Sequence, residues 1–100
     1  MAAFAADDLI ESTSGKAHRL RLSGEWTAMH AGDLEALVDR TAATLAGRHV
    51  TLDLGEVTRV DTVGAHLLDR LRREIAGNGG KTAIEGGRPE QRILIDAISH

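Results

Sequence analysis

The chain has 100 residues, enough for one domain with a single modest core. Its net charge is −3, which argues against a nucleic acid or an anionic membrane as partner, and only 2% of its residues are aromatic, so the core must be aliphatic. It contains no cysteine, which excludes disulfides and thiolate chemistry, and no apolar run approaches the roughly 20 residues that span a bilayer.

Residues 1–8 are alanine-rich and weakly patterned, and read as a loose end without the basic and apolar regions of a signal peptide. A cytoplasmic protein, monomeric when isolated, is therefore expected. Leu9-Ile10-Glu11 reads as a short edge strand and Thr13-Ser14-Gly15-Lys16 as a turn. Ala17 to Ser23 reads as a second strand with Leu20 and Leu22 inward and Arg19 and Arg21 outward, forming a hairpin with the first. Gly24-Glu25-Trp26-Thr27 turns the chain toward a helix, with Thr27 as candidate N-cap. That helix places Leu34, Leu37, Val38, Thr41, Ala42 and Leu45 on one stripe, Asp33, Glu35, Asp39 and Arg40 opposite, and stops at Gly47.

The next stretch organises the rest. Val50, Leu52 and Leu54 alternate with Thr51 and Asp53, which predicts a strand. Val63, Leu67, Leu68, Leu71 and Ile75 recur at helical spacing. Between them a short loop is expected to run to Asp61-Thr62, both good N-cap residues because a side-chain oxygen can accept an orphan backbone N–H. Gly64 suits a place where the backbone approaches another surface closely. Thr62, His66, Asp69 and Arg73 share one outer face of this helix. Gly77-Asn78-Gly79-Gly80 ends it. Thr82 to Ile84 reads as a short strand, and Pro89 opens a last helix through Ile93, Leu94 and Ile98. The order β-β-α-β-α-β-α predicts an α/β fold with a mostly parallel sheet and an antiparallel first edge. The chain ends inside an apolar helix, which suggests a segment of something longer.

Few residues offer chemistry. Gly77 to Thr82 superficially resembles a P-loop, but Ile75 stands where the first glycine belongs, and the segment follows a helix and opens a strand instead of the reverse. His18, His30, His49, His66 and His100 form no pair at zinc-ligand spacing. No G-x-S-x-G elbow occurs, and Glu25, Asp53, Glu56 and Asp61 lack any accompanying nucleophile. No enzyme, metal or cofactor is expected. Trp26 has two readings, a plug at the sheet end and an anchor for a partner.

The element order, with Leu52-Asp53-Leu54, Val57 and Val60-Asp61-Thr62-Val63-Gly64, resembles the STAS family of sulfate-transporter and anti-sigma-factor-antagonist domains; Leu22-Ser23-Gly24-Glu25 also fits. The resemblance covers about Leu9 to Ile98, so a STAS domain is assigned to residues 9–100. It implies a mostly parallel sheet of four to five strands, an antiparallel N-terminal edge hairpin and about three packed helices. Thr62 falls where regulated antagonists carry the serine phosphorylated by a partner kinase, with Asp61 and Gly64 matching its neighbours. Those antagonists read D-S-S-G, whereas Asp61-Thr62-Val63-Gly64-Ala65 looks more like the STAS domains of lipid-asymmetry (Mla-type) ABC transporters. In that branch the threonine is implied to contact the ATPase, and the domain to work at the inner face of the membrane through a permease. Two partners thus stay open, an ABC transporter ATPase or permease subunit and an anti-sigma kinase. A small-ligand or nucleotide-sensing module is a third, weaker implication. The implied interaction surface comprises Thr62 with Asp61, Gly64, His66, Asp69, Arg73, Glu25 and Trp26.

Overall fold

The computed structural model describes residues 4–10, 17–77 and 79–98. Strands β1 (Phe4–Ile10), β2 (Ala17–Trp26), β3 (His49–Val60) and β4 (Lys81–Glu85) form one sheet in the order β1-β2-β3-β4. Helices α1 (Ala31–Leu45), α2 (Thr62–Ala76) and α3 (Pro89–Ile98) follow β2, β3 and β4, and a 3-10 turn at Ala28–His30 precedes α1. Strands β2, β3 and β4 run parallel. The sheet therefore has four strands, of which three are parallel, because two β-α-β crossovers supply three parallel strands. β1 pairs antiparallel with β2 from Phe4↔Gly24 to Ile10↔His18. It starts at Phe4, so residues 4–8 belong to a strand instead of the expected loose end. The turn expected at Thr13–Lys16 lies outside the described residues.

Burial alternates along the central strands. Leu20, Leu22, Val50, Leu52 and Leu54 are buried, while Arg19, Arg21, Thr51 and Asp53 between them are not, so one face of the sheet carries the core. Helix α2 packs between α1 and α3 over that core. α1 contributes Leu34, Val38, Ala42 and Leu45, and α2 contributes Ala65, Leu67, Leu68, Leu71 and Ile75. Trp26 is the one aromatic among the buried hydrophobic residues described. On the uncovered face Asp53 accepts from Arg19 Nε at 3.0 Å, and Arg19 reaches on to Glu85 at 2.7 Å. Asp53 is thus a mid-strand charge partner.

Two further expectations fail at the bulged half of β3. The strand continues through Val60, where a loop was predicted, and β2 continues through Trp26. Between Arg21↔Asp53 and Ser23↔Glu56, β2 advances two residues and β3 three; between Gly24↔Val57 and Glu25↔Arg59, β2 advances one and β3 two. Each extra residue shifts the inward phase, so Val57 is buried three positions after Leu54 and the alternation that identifies a strand disappears. Asp53 Oδ1 accepts from Gly55 N at 2.9 Å at the first of these bulges. That bond, with Arg19 and Arg21 nearby and against the opposing effect of burial, holds the Asp53 carboxyl below its usual pKa.

Candidate functional site

The bulged strands carry β2 and β3 past the rest of the sheet, and their ends meet the start of α2. Asp61 holds the three together. Its Oδ1 accepts from Gly64 N at 2.9 Å, the N-cap bond of α2. Its Oδ2 accepts from Ala28 N at 2.8 Å, the first residue of the 3-10 turn. Its own N–H donates to Trp26 O at 3.3 Å. Burial disfavours the charged carboxylate, but backbone N–H donors from Ala28, Gly64 and Val63 outweigh it, so the Asp61 pKa lies below its ordinary value. Thr27, expected as a cap, makes no side-chain cap bond. Asp61, distant in sequence, satisfies that helix start instead.

Gly64 completes the joint. A Cβ on Gly64 would lie 1.6 Å from Trp26 O, so the first turn of α2 rests directly on the β2 backbone. Trp26 is fully buried beneath it, with Nε1 donating to Ser23 O at 3.1 Å. Trp26 and Gly64 are therefore internal, and the expectation that they belong to a contact surface is corrected. Trp26 is the plug of the sheet end.

Thr62, the first residue of α2, is exposed. The Asp61 carboxylate points inward onto backbone donors, so the neutral hydroxyl is what the helix start presents. His66 is exposed one turn on, and Arg73 lies exposed two turns further. Asp69 lies on the same face by helical phase, but it is buried, with Arg72 NH2 at 2.6 Å and Arg73 Nε at 2.9 Å on its carboxylate oxygens. It is a structural ion-pair centre, and Arg73 is tethered to it. Val63, expected on the apolar stripe, is 37% exposed at the first turn. Glu25 is half-buried, 3.5 Å from His30 Nε2.

Beside Thr62 lies a cleft of about 270 Å³ lined by Glu25, Thr27, Met29, Arg59, Val60 and Asp61. Met29 is 83% exposed at its edge. Neither Met29 nor Arg59 stood out in the sequence. The only signal for Met29 was an apolar side chain off the α1 stripe, and Arg59 lay in a stretch read as loop. A third overlooked residue is Gln91, buried at the start of α3. Its Oε1 accepts from Arg88 N at 3.1 Å, and its Nε2 donates to Val57 O at 3.4 Å. Glutamine two positions after Pro89 is half of a capping box, and that spacing was available to find it. Among the described residues, no group of three His, Cys, Asp or Glu side chains could hold a metal, and no helix is long and apolar enough to cross a membrane.

A family model described as "Mlab, STAS domain" matches residues 10–99. No curated protein matches the chain. Among solved structures the fold is similar to an antisigma-factor antagonist STAS domain from Rhodobacter sphaeroides, with TM-score 0.67, 18% identity and coverage of 85% of this chain and 88% of that one. It is also similar to the anti-sigma factor antagonist SpoIIAA in its unphosphorylated form, with TM-score 0.64, 17% identity and coverage of 92% and 82%. A third similar structure, Mglu, has TM-score 0.65 and 26% identity over 83% of this chain, which spans 20% of Mglu.

Proposed function

The chain belongs to the STAS-domain family, and from that premise we propose that it is a non-enzymatic protein–protein interaction module whose docking surface centres on Thr62. The observation that carries this reading is the division of roles at the α2 start. Asp61 is turned inward onto the Ala28 and Gly64 N–H groups, and Thr62 is turned outward as an uncharged hydroxyl. Such a hydroxyl is buried against a partner at little desolvation cost when hydrogen-bonded, whereas an exposed carboxylate there would resist burial. The partner we favour is the ATPase or permease subunit of a lipid-transport ABC transporter, with the domain acting on the cytoplasmic side. Support comes from the Mlab description of the matching family model and from the Asp61-Thr62-Val63-Gly64-Ala65 string.

A second reading, an anti-sigma factor antagonist switched by a kinase at Thr62, is favoured by similarity to two structures described as anti-sigma factor antagonists. One titration separates the two. The chain is measured against the cognate ATPase subunit and, separately, against an anti-sigma kinase from the same genome. Binding to the ATPase alone supports the transporter reading, and phosphate transfer to Thr62 supports the antagonist. In either case Thr62→Glu is expected to fold normally, since an acid suits a helix N-terminus, and to lose its partner. Thr62→Ser is expected to bind nearly as well as the parent. A Thr62→Glu chain that binds as tightly as the parent would refute the docking surface.

A further inference from the structure

The cleft beside Thr62 contains three charged groups in unequal states. Glu25 has His30 at 3.5 Å, and Asp61 is occupied by the N–H groups of Ala28 and Gly64. Arg59 is exposed, and its guanidinium has no hydrogen-bond or ion-pair partner among the described residues, Glu25 being its register neighbour on β2. At the cleft edge Met29 is 83% exposed, and Val63 is 37% exposed beside Thr62. The cleft thus offers a flexible apolar side chain and one uncommitted guanidinium, and its Asp61 wall leads directly into Thr62.

We infer that this cleft is the anchoring half of the docking surface, and that it receives a partner-protein segment with an apolar side chain against Met29 and a carboxylate against Arg59. The inference rests on the docking reading of Thr62 and specifies the chemistry of the partner. Charge complementarity selects that chemistry. Both Asp61 oxygens are taken by backbone N–H groups and Glu25 Oε2 lies 3.5 Å from His30, whereas the Arg59 guanidinium has no partner among the described residues, so an incoming carboxylate finds an unpaired cation. A guanidinium also holds a carboxylate with two parallel hydrogen bonds, which a lysine cannot. Methionine adapts its unbranched chain to an irregular apolar surface, a property common to recognition sites. Because the whole chain is net negative, attraction for an acidic segment must be local to Arg59.

The test uses the cognate ATPase subunit as probe, titrated with the parent chain and with Met29→Ala, Arg59→Glu and Arg59→Lys. Both positions substituted are exposed, so each variant should melt with the parent. Met29→Ala is expected to weaken binding about tenfold, and Arg59→Glu by more, in the range of interface anchors. Arg59→Lys should recover part of the loss. The salt dependence of parent binding should flatten in Arg59→Glu. If Thr62→Glu loses the probe while both Met29→Ala and Arg59→Glu bind at full strength, the docking reading stands and this inference is overturned. If the parent binds the anti-sigma kinase instead, the same variants are titrated against the kinase, and full-strength binding by both again overturns the inference. A parent that binds neither overturns both readings. Sedimentation showing a parent dimer that Met29→Asp converts to monomer would make a second copy of the chain the occupant, and would also overturn it.

Discussion

Replacing Gly64 by alanine sets two effects of opposite sign against each other. In an unobstructed helix the change is favourable, by about 0.5–1 kcal/mol, because glycine loses more backbone entropy on folding. Gly64 has an ordinary helical backbone, without the positive φ that penalises a side chain, so conformation alone predicts stabilisation. The packing predicts the reverse. The new Cβ would start 1.6 Å from Trp26 O and 2.5 Å from Trp26 C, where real contacts essentially never fall below 3.0 Å. The obstacle is backbone, flanked by a fully buried tryptophan, and no side-chain rotation relieves it. α2 must lift from β2, which loosens the Asp61–Gly64 cap bond, worth about 0.5–2 kcal/mol, on top of an overpacking cost of about 1–3 kcal/mol or more. The net expectation is destabilisation by about 0.5–4.5 kcal/mol, centred near 2.5 kcal/mol, or a fall in Tm of about 10–20 °C at that centre for a domain of this size. Urea unfolding at constant m-value and thermal melts measure it. Gly32→Ala is the control, since a Cβ there meets nothing within 4 Å and should raise stability or leave it unchanged. Equal or increased stability for Gly64→Ala would refute the close contact between α2 and Trp26.

Asp61→Asn replaces one acceptor oxygen by an amide donor facing an N–H of Ala28 or Gly64, and should cost about 1–2 kcal/mol at neutral pH. Because the folded Asp61 pKa is lowered, its stabilisation is present above the ordinary value of 3.8 and is lost as the pH falls through the folded value; denaturation midpoints should therefore converge for parent and variant in acid, and a gap constant from pH 7 to 3 would contradict the charge argument. Leu71→Ala, fully buried on α2, should cost about 2–5 kcal/mol. His66→Ala, exposed on the same helix, should stay within about 0.5 kcal/mol, and a His66 variant as costly as Leu71 would mean the helix faces the other way.

What the sequence made legible followed from periodicity. The α1 stripe of Leu34, Val38, Ala42 and Leu45 and the α2 stripe of Leu67, Leu68, Leu71 and Ile75 both face the core, because a 3.6-residue repeat fixes a helix face without reference to its neighbours. Val50, Leu52 and Leu54 were readable for the same reason. Gly55 to Val60 was not, since two inserted residues in β3 break the two-residue repeat on which strand recognition depends. Asp69 marks another limit. Helical phase grouped it with the exposed Thr62, His66 and Arg73, yet it is buried, and phase says nothing of the Arg72 and Arg73 guanidiniums that lie on its carboxylate oxygens. Thr27 and Asp61 mark a third. Local pattern favoured Thr27 as a cap for the helix start at residue 28, but the acceptor came from Asp61, brought there by the parallel pairing of β2 and β3.

The same joint bears on what a charge at Thr62 would do. A phosphate there would gain from the positive end of the α2 dipole, while adding about −1.5 to −2 charges next to a carboxylate. That carboxylate cannot turn away without releasing the N–H groups of Ala28 and Gly64, and its lowered pKa keeps it ionised near neutral pH. Relief by protonating or moving Asp61 is therefore closed, and the repulsion must be borne by solvent and by whatever faces the helix start. Free in solution, the domain can screen such a charge and keep its fold. Against a partner the charge must be desolvated beside Asp61, so the penalty falls on the complex. A helix start built this way would resist conformational change, so a modification of Thr62 would act chiefly on what the domain binds.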